Sequence, residues 1–113
     1  MKTYEGIRDP VEPNTAGECI VMVNGQVLPL EPSLRVRRHS PTGFSWGYGG
    51  SGPAQLALAI LLDYFNGDAE LAHRYYQQFK WDFVAQWSPA KDWKITDEQI
   101  GSWLSRTSKS MNR

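Results

Sequence analysis

The feature that most constrains the fold is the unbroken block from Gly43 to Tyr64, which reads GFSWGYGGSGPAQLALAILLDY. It passes from an aromatic segment through a glycine-rich turn into an almost wholly apolar stretch. Pro53 suits the beginning of a helix, where its missing N–H costs nothing. A helix that is apolar nearly all round has to be covered on most of its sides. The block therefore predicts a central, buried helix over about 53–65.

One side of this helix is expected to tolerate water. Gln55, Ala59 and Asp63 are spaced four residues apart, so they lie on the same side of the helix. The other positions around it are almost all apolar. The spacing therefore predicts that Gln55 faces solvent.

The chain before this block favours β-structure. Asn24-Gly25 is a strong hairpin signal, because both central residues of a type I′ turn need a positive φ. A two-residue turn at this place pairs Met22 with Val27. The predicted strands cover 3–7, 18–23 and 26–30, with 34–39 and 44–48 as two further candidates.

Two more helices are expected after the central one. Asn66-Gly67 ends the central helix, and Asp68 suits the N-cap of a second helix over 69–87. Thr96 and Gln99 have the spacing of a capping box, which predicts a third helix over 97–106. A small N-terminal antiparallel sheet followed by three helices is typical of the α+β class, here as one domain over 1–113.

Charge and cysteine content exclude several classes of protein. Lys plus Arg and Asp plus Glu number 12 each, so the chain lacks the net basic field of a nucleic-acid-binding domain, although a local patch is allowed. The only cysteine, Cys19, excludes an internal disulfide and suits a reducing cytoplasm.

The longest apolar run, from Leu56 to Leu62, is far shorter than the roughly 20 residues of a membrane span. We therefore expect a cytoplasmic protein with no membrane partner.

The glycine turn is the first candidate binding site. Backbone N–H groups at Gly49, Gly50, Ser51 and Gly52 would meet the positive end of the helix dipole, as in anion sites. The Lys-Ser/Thr pair of a nucleotide P-loop does not follow the glycines. A purely structural turn is the alternative. A third interpretation makes Ser51 a hydrolase nucleophile, but Pro53 replaces one glycine of the hydrolase elbow.

A short basic cluster is the second candidate, and it lies close to the turn in sequence. Such a cluster can contact phosphate or an acidic protein surface, or it can be a solvated face. The cluster consists of Arg35, Arg37, Arg38 and His39.

An aromatic row follows the basic cluster. If 44–48 is a strand, its three alternating aromatic side chains point the same way and form either a stacking platform for bases or part of the core. The three residues are Phe44, Trp46 and Tyr48.

Trp81 is an outlier on the second helix. It falls opposite the apolar face, on the side of Arg74 and Gln77. Either the C-terminal segment folds back over this ring, or the ring is exposed at a partner surface. No metal or cofactor is expected, because Cys19, His39 and His73 do not form a close pair.

The chain resembles a group of small, uncharacterised prokaryotic proteins that are often carried by phages, plasmids and integrated elements. The resemblance runs from about Tyr4 to Leu104, and the block from Gly43 to Tyr64 is its specific marker. It implies a small accessory protein that acts by binding, and it transfers no catalytic residues. Supporting segments are Tyr4-Glu5-Gly6, Asn24-Gly25 with Leu28-Pro29, Tyr75 to Lys80, Trp93 to Thr96, and Ile100 to Leu104.

The sequence therefore favours a non-enzymatic binding or regulatory protein with a protein partner, acting on a host protein or defence complex. The alternative is an anion, nucleotide or single-stranded nucleic-acid binder that uses the glycine turn and the Arg35–His39 cluster. The sequence leaves the oligomeric state open.

Overall fold

The computed structural model describes residues 1–8, 19–41 and 43–111. Its strands are β1 (Thr3–Arg8), β2 (Cys19–Val23), β3 (Gln26–Val27) and β4 (Trp93–Thr96). Its helices are α1 (Glu31–Val36), α2 (Ser51–Tyr64), α3 (Ala69–Asp82) and α4 (Asp97–Met111), with a 3-10 turn at Val84–Gln86. The predicted α+β class is confirmed.

The sheet has the order β3-β2-β1-β4, and all of its pairings are antiparallel. Asn24 and Gly25 have φ values of 50° and 81°, and Met22 lies opposite Val27. The predicted hairpin and its register are therefore confirmed. The strand predicted over 26–30 ends at Val27, shortly before Pro29, which has no N–H to donate to a ladder.

Strand β4 was not predicted, because this part of the chain reads as a loop. Its residues Trp93 and Ile95 lie opposite Gly6 and Tyr4 of β1, and both are buried. The pairing partner of β4 is almost the whole chain away. Local sequence patterns do not reveal a short strand whose pairing is this distant.

Helix α2 is the centre of the molecule, as predicted, and begins two residues earlier than expected. Leu56, Leu58 and Ile60 are fully buried in it. The helix ends where the N–H of Gly67, at φ 89°, donates to the Leu62 carbonyl at 2.8 Å.

The N-cap predicted for α3 is also confirmed. The carboxylate of Asp68 accepts a hydrogen bond from the N–H of Leu71 at 3.1 Å. The helix itself is shorter than predicted: it ends at Asp82, and the 3-10 turn takes over after Phe83.

The strand considered over 34–39 is wrong, because this segment begins as helix α1. Pro32 lies in the first turn of the helix, where proline is tolerated. Glu31 and Arg35 form an ion pair at 2.8 Å across one turn, which favours the helix further. The chain becomes extended at Arg37.

The strand considered over 44–48 is also wrong, and so is the shared aromatic face. Gly47 has a φ of 91°, and its N–H donates to the Val84 carbonyl at 3.0 Å instead of to a neighbouring strand. Trp46 is fully buried, whereas Tyr48 is 50% exposed. The aromatic side chains therefore do not form one row.

Helix α4 confirms the predicted capping box and is longer than the predicted range 97–106. The N–H of Gln99 donates to Thr96 Oγ1 at 3.2 Å, and the N–H of Thr96 donates to Gln99 Oε1 at 2.9 Å. Trp103 packs against Phe79 and Phe83 of the preceding segment. Among the helices within the described ranges, none is both long enough and apolar enough to cross a membrane.

Candidate functional site

A buried glutamine near the beginning of α2 organises the candidate site. Gln55 is fully buried, so the prediction that it faces solvent is wrong, and Ala59 is buried as well. Gln55 Oε1 accepts hydrogen bonds from the N–H groups of His39 at 2.7 Å and Ser40 at 3.0 Å. Its Nε2 donates to the Arg37 carbonyl at 3.2 Å. One side chain thus ties residues 37–40 to α2.

The same glutamine also holds α1 in place. Gln55 Nε2 donates to Ser33 Oγ at 2.8 Å, and this hydroxyl donates to the Leu30 carbonyl at 2.7 Å. Ser33 is itself fully buried. Because every polar atom in this chain of bonds has a partner, burial of the glutamine is compatible with a stable core.

The His39 side chain docks on α3. One ring nitrogen, Nε2, lies 2.7 Å from the Tyr76 hydroxyl, and the two ring centroids are 5.5 Å apart. The His73 ring contacts the same tyrosine at a centroid distance of 5.6 Å. Gln77 Nε2 donates to the Tyr76 hydroxyl at 3.1 Å. Tyr76 is thus the centre of a polar group. The apolar spacing around it on α3 did not predict this role.

The electrostatic surroundings of His39 are positive. Burial lowers the pKa of His39 below its ordinary value, and the charges of Arg37, Lys80 and His73 lower it further. All of the neighbouring charges that act on this ring favour its neutral form. A negative charge that arrived here would have the opposite effect.

Lys80 lies beside this group, and its side chain is almost completely covered. The residue is 6% exposed, and its ammonium lies 4.2 Å from the centroid of the Trp81 ring. Its nearest hydrogen-bond acceptor is the Gly49 carbonyl, at 3.4 Å. Burial lowers the pKa of Lys80. Within the described parts of the chain, no carboxylate is close enough to form an ion pair with it.

The glycine turn is a support for two aromatic rings. A Cβ at Gly49 would overlap the Trp81 ring, and a Cβ at Gly50 would overlap the Tyr48 ring. Trp81 is 52% exposed and Tyr48 is 50% exposed. Gly49 and Gly50 therefore have a structural role, because a side chain at either position would displace a ring.

We call this surface the aromatic–basic face. It combines two half-exposed aromatic rings with three basic side chains, which come from α3 and from the segment after α1. Its residues are Tyr48, Trp81, Lys80, His39 and Arg37.

The structure joins only part of the predicted site. The turn from Gly49 to Gly52 contacts Trp81 and the Lys80 ammonium, and residues 37–39 are fastened to the helix that the turn begins. Arg35 is engaged with Glu31 instead.

Two other predicted residues gain no chemical role from the structure. Arg38 is exposed and makes no hydrogen bond or ion pair with the described residues. Ser51 is exposed, and across the described ranges no base is hydrogen-bonded to its hydroxyl. The C-terminal helix does not cover Trp81, because Trp103 packs elsewhere.

Sequence reasoning missed Tyr76 and Lys80. Both are buried on the side of α3 that packs against the core, where helical spacing of apolar residues indicates core and not a site. Their spacing of four residues places them side by side and was the only available signal. No grouping of three or more His, Cys, Asp or Glu side chains suited to a metal ion occurs in the described ranges.

A separate cavity of about 280 Å³ lies between the hairpin, α1 and the end of α2. Its carboxylate, Asp63, accepts hydrogen bonds at Oδ2 from the Tyr4 hydroxyl at 2.7 Å and from Lys2 Nζ at 3.1 Å. Burial and the bond to Asp63 raise the pKa of Tyr4. Because these polar groups satisfy one another, the cavity is a weaker candidate than the aromatic–basic face.

Comparison with known families gives one match. Residues 4–106 match DUF6166, a family of unknown function, so the chain belongs to that family. Neither the curated proteins nor the solved structures that were compared contain a match to the chain.

Proposed function

We propose that this member of DUF6166 is a non-enzymatic, cytoplasmic binding protein that holds an acidic protein partner on its aromatic–basic face. The observation that carries the proposal is the pair of half-exposed rings, Tyr48 and Trp81, beside an ammonium group that has no carboxylate partner in the described residues. Within the described ranges, no base is bonded to Ser51 that would support a hydrolytic alternative.

The composition of the face supports a protein partner. Tryptophan and tyrosine are enriched among the residues that dominate binding energy at protein interfaces. Both rings rest on the glycine backbone, so little side-chain freedom remains to be lost on binding. The surrounding positive charges favour a partner of opposite sign.

We extend the proposal to the biological setting on the resemblance alone. Similar proteins occur on phages, plasmids and integrated elements, whose small accessory proteins commonly mask host proteins. We therefore propose that the partner is a host protein, including a component of a host defence complex.

A charge reversal at the face tests the proposal. We expect Arg37→Glu to remove the partner from an affinity purification performed in the source host, because it places a carboxylate opposite an acidic surface. Arg106→Glu makes the same charge change on an exposed residue of α4 and should leave the yield of partner unchanged. The captured protein is then purified and mixed with both variants in calorimetry. Equal binding by the two variants would exclude this face.

Single-stranded nucleic acid is a second candidate ligand. The specific observation in its favour is that Tyr48 and Trp81 expose ring surface next to Lys80, as in stacking platforms. Fluorescence anisotropy with labelled oligothymidylate distinguishes the candidates. Tight binding that falls steeply with added salt would favour the nucleic acid over the protein partner.

A further inference from the structure

The Lys80 ammonium has no anionic partner among the described residues. Lysine is almost never fully buried unless its charge is paired. Here the side chain is 6% exposed, and its two contacts are the face of Trp81 and one carbonyl at the long distance of 3.4 Å. Neither contact carries a negative charge. The described residues therefore supply no anionic partner for this ammonium.

The neighbours of Lys80 on α3 are also polar and basic. His73, Tyr76 and Lys80 are separated by three and four residues, so they follow one another along one side of the helix. His39 reaches this row from the segment after α1 through its bond to Tyr76. Two separate elements thus bring basic side chains to one place.

The beginning of α2 adds a third contribution. The Gly49 carbonyl accepts the hydrogen bond of the Lys80 ammonium. Gly49 immediately precedes the N-cap of α2, Gly50. The first N–H groups of a helix carry partial positive charge and are not used by the helix itself. The N-cap, Gly50, has no side chain that could accept from the N–H groups of this first turn.

We propose that Lys80, His39 and the first turn of α2 form a receptor for a single oxyanion, a carboxylate or phosphoryl group. The inference rests on the proposed function in one respect, that this oxyanion belongs to the partner. An ammonium group, an imidazole and backbone N–H groups can all donate hydrogen bonds to the oxygens of one anion from different directions.

Tyr76 is a positioning residue for this receptor. Because its oxygen accepts from Gln77, its own O–H is free to donate to His39 Nε2. This assignment puts the proton of the neutral imidazole on Nδ1, which is then the nitrogen that can donate to the oxyanion.

Sulfate is the sharpest probe, because it keeps its double negative charge while the pH is lowered through the range in which histidines titrate. In NMR titrations we expect saturable shifts of the His39 ring signals and of the amides of 49–52. Burial and the neighbouring cations lower the pKa of His39 in the free protein. A bound anion acts in the opposite direction, so binding takes up a proton. The affinity for sulfate should therefore rise as the pH falls.

Matched variants locate the receptor. Lys80→Met keeps an unbranched apolar stem and should weaken sulfate binding about tenfold, which corresponds to about 1.4 kcal/mol. Lys109→Met removes an exposed lysine of α4 and should change the affinity by less than about twofold. His39→Asn should retain part of the affinity and lose its pH dependence. An unchanged affinity in Lys80→Met, or a pH dependence that persists in His39→Asn, would overturn the inference.

Two further probes identify the source of the oxyanion. Hexaglutamate that displaces sulfate from wild type and equally from Lys109→Met supports a carboxylate, and preferential displacement by inorganic phosphate supports a phosphoryl group. If neither probe competes with sulfate at Lys80, the receptor is overturned. The proposed function is judged separately, by partner binding of Arg37→Glu against Arg106→Glu, so the two can fail independently.

Discussion

We expect Gln55→Leu to lower the free energy of unfolding by about 3–5 kcal/mol. Leucine is similar in size to glutamine, so the cost comes from lost polar contacts and not from a cavity. The substitution leaves the partly buried N–H groups of His39 and Ser40 without their acceptor, and it removes the donor to Ser33 Oγ and to the Arg37 carbonyl. Urea denaturation followed by circular dichroism measures the effect.

Gln78→Leu is the matched control for this prediction. Gln78 is exposed on α3 and makes one side-chain bond, to Asp82 at 2.8 Å, so its loss should cost no more than about 0.5 kcal/mol. Amide exchange gives a second readout, because His39 and Ser40 should lose protection in Gln55→Leu. A cost below about 1 kcal/mol with unchanged exchange would show that Gln55 does not hold this segment.

We expect Trp46→Ala to destabilise the fold by about 3–5 kcal/mol. The Trp46 ring is fully buried, meets Trp93 edge-on at a centroid distance of 5.8 Å and lies under the Arg8 guanidinium at 4.6 Å. Its Nε1 donates to the Lys91 carbonyl at 3.0 Å. Denaturant midpoints of wild type and variant measure the loss.

Trp81→Ala makes the same substitution at a half-exposed ring, where we expect a cost of about 1 kcal/mol or less. The two variants therefore compare the same substitution at a core position and at a surface position. Equal destabilisation by both variants would contradict the assignment of Trp81 to an exposed face.

Local signals in the sequence predicted the parts of the fold that depend on local chemistry. The turn at Asn24-Gly25, the cap at Asp68 and the capping box at Thr96 each need only residues a few positions apart, and each is confirmed. The apolar character of α2 was sufficient to predict its burial.

The features that the sequence did not predict depend on contacts between residues that are distant in the chain. Strand β4 depends on β1 from the other end of the chain. Gln55 looked like a surface residue because its partners, the Ser33 hydroxyl and backbone groups of 37–40, are distant in sequence and carry no signature there. The strand considered over 34–39 begins instead as the end of α1, whose Ser33 accepts a hydrogen bond from the distant Gln55 at 2.8 Å.

The candidate site was predictable to a similar extent. The glycine turn and His39 were found because they lie in neighbouring, chemically distinctive segments. Tyr76 and Lys80 were missed because they sit on a face of α3 whose apolar spacing indicates core. Only the packing of α3 against the turn brings the ammonium of Lys80 to Gly49.

The most direct test of the aromatic–basic face is calorimetry of the purified partner with wild type, Trp81→Ala and Val27→Ala. Val27 is 71% exposed on β3, outside the aromatic–basic face, and serves as the control for removing an exposed apolar side chain. We predict that Trp81→Ala weakens binding by at least about 2 kcal/mol, roughly thirtyfold, whereas Val27→Ala binds as wild type does. Full affinity in Trp81→Ala, or an equal loss in Val27→Ala, would contradict the account.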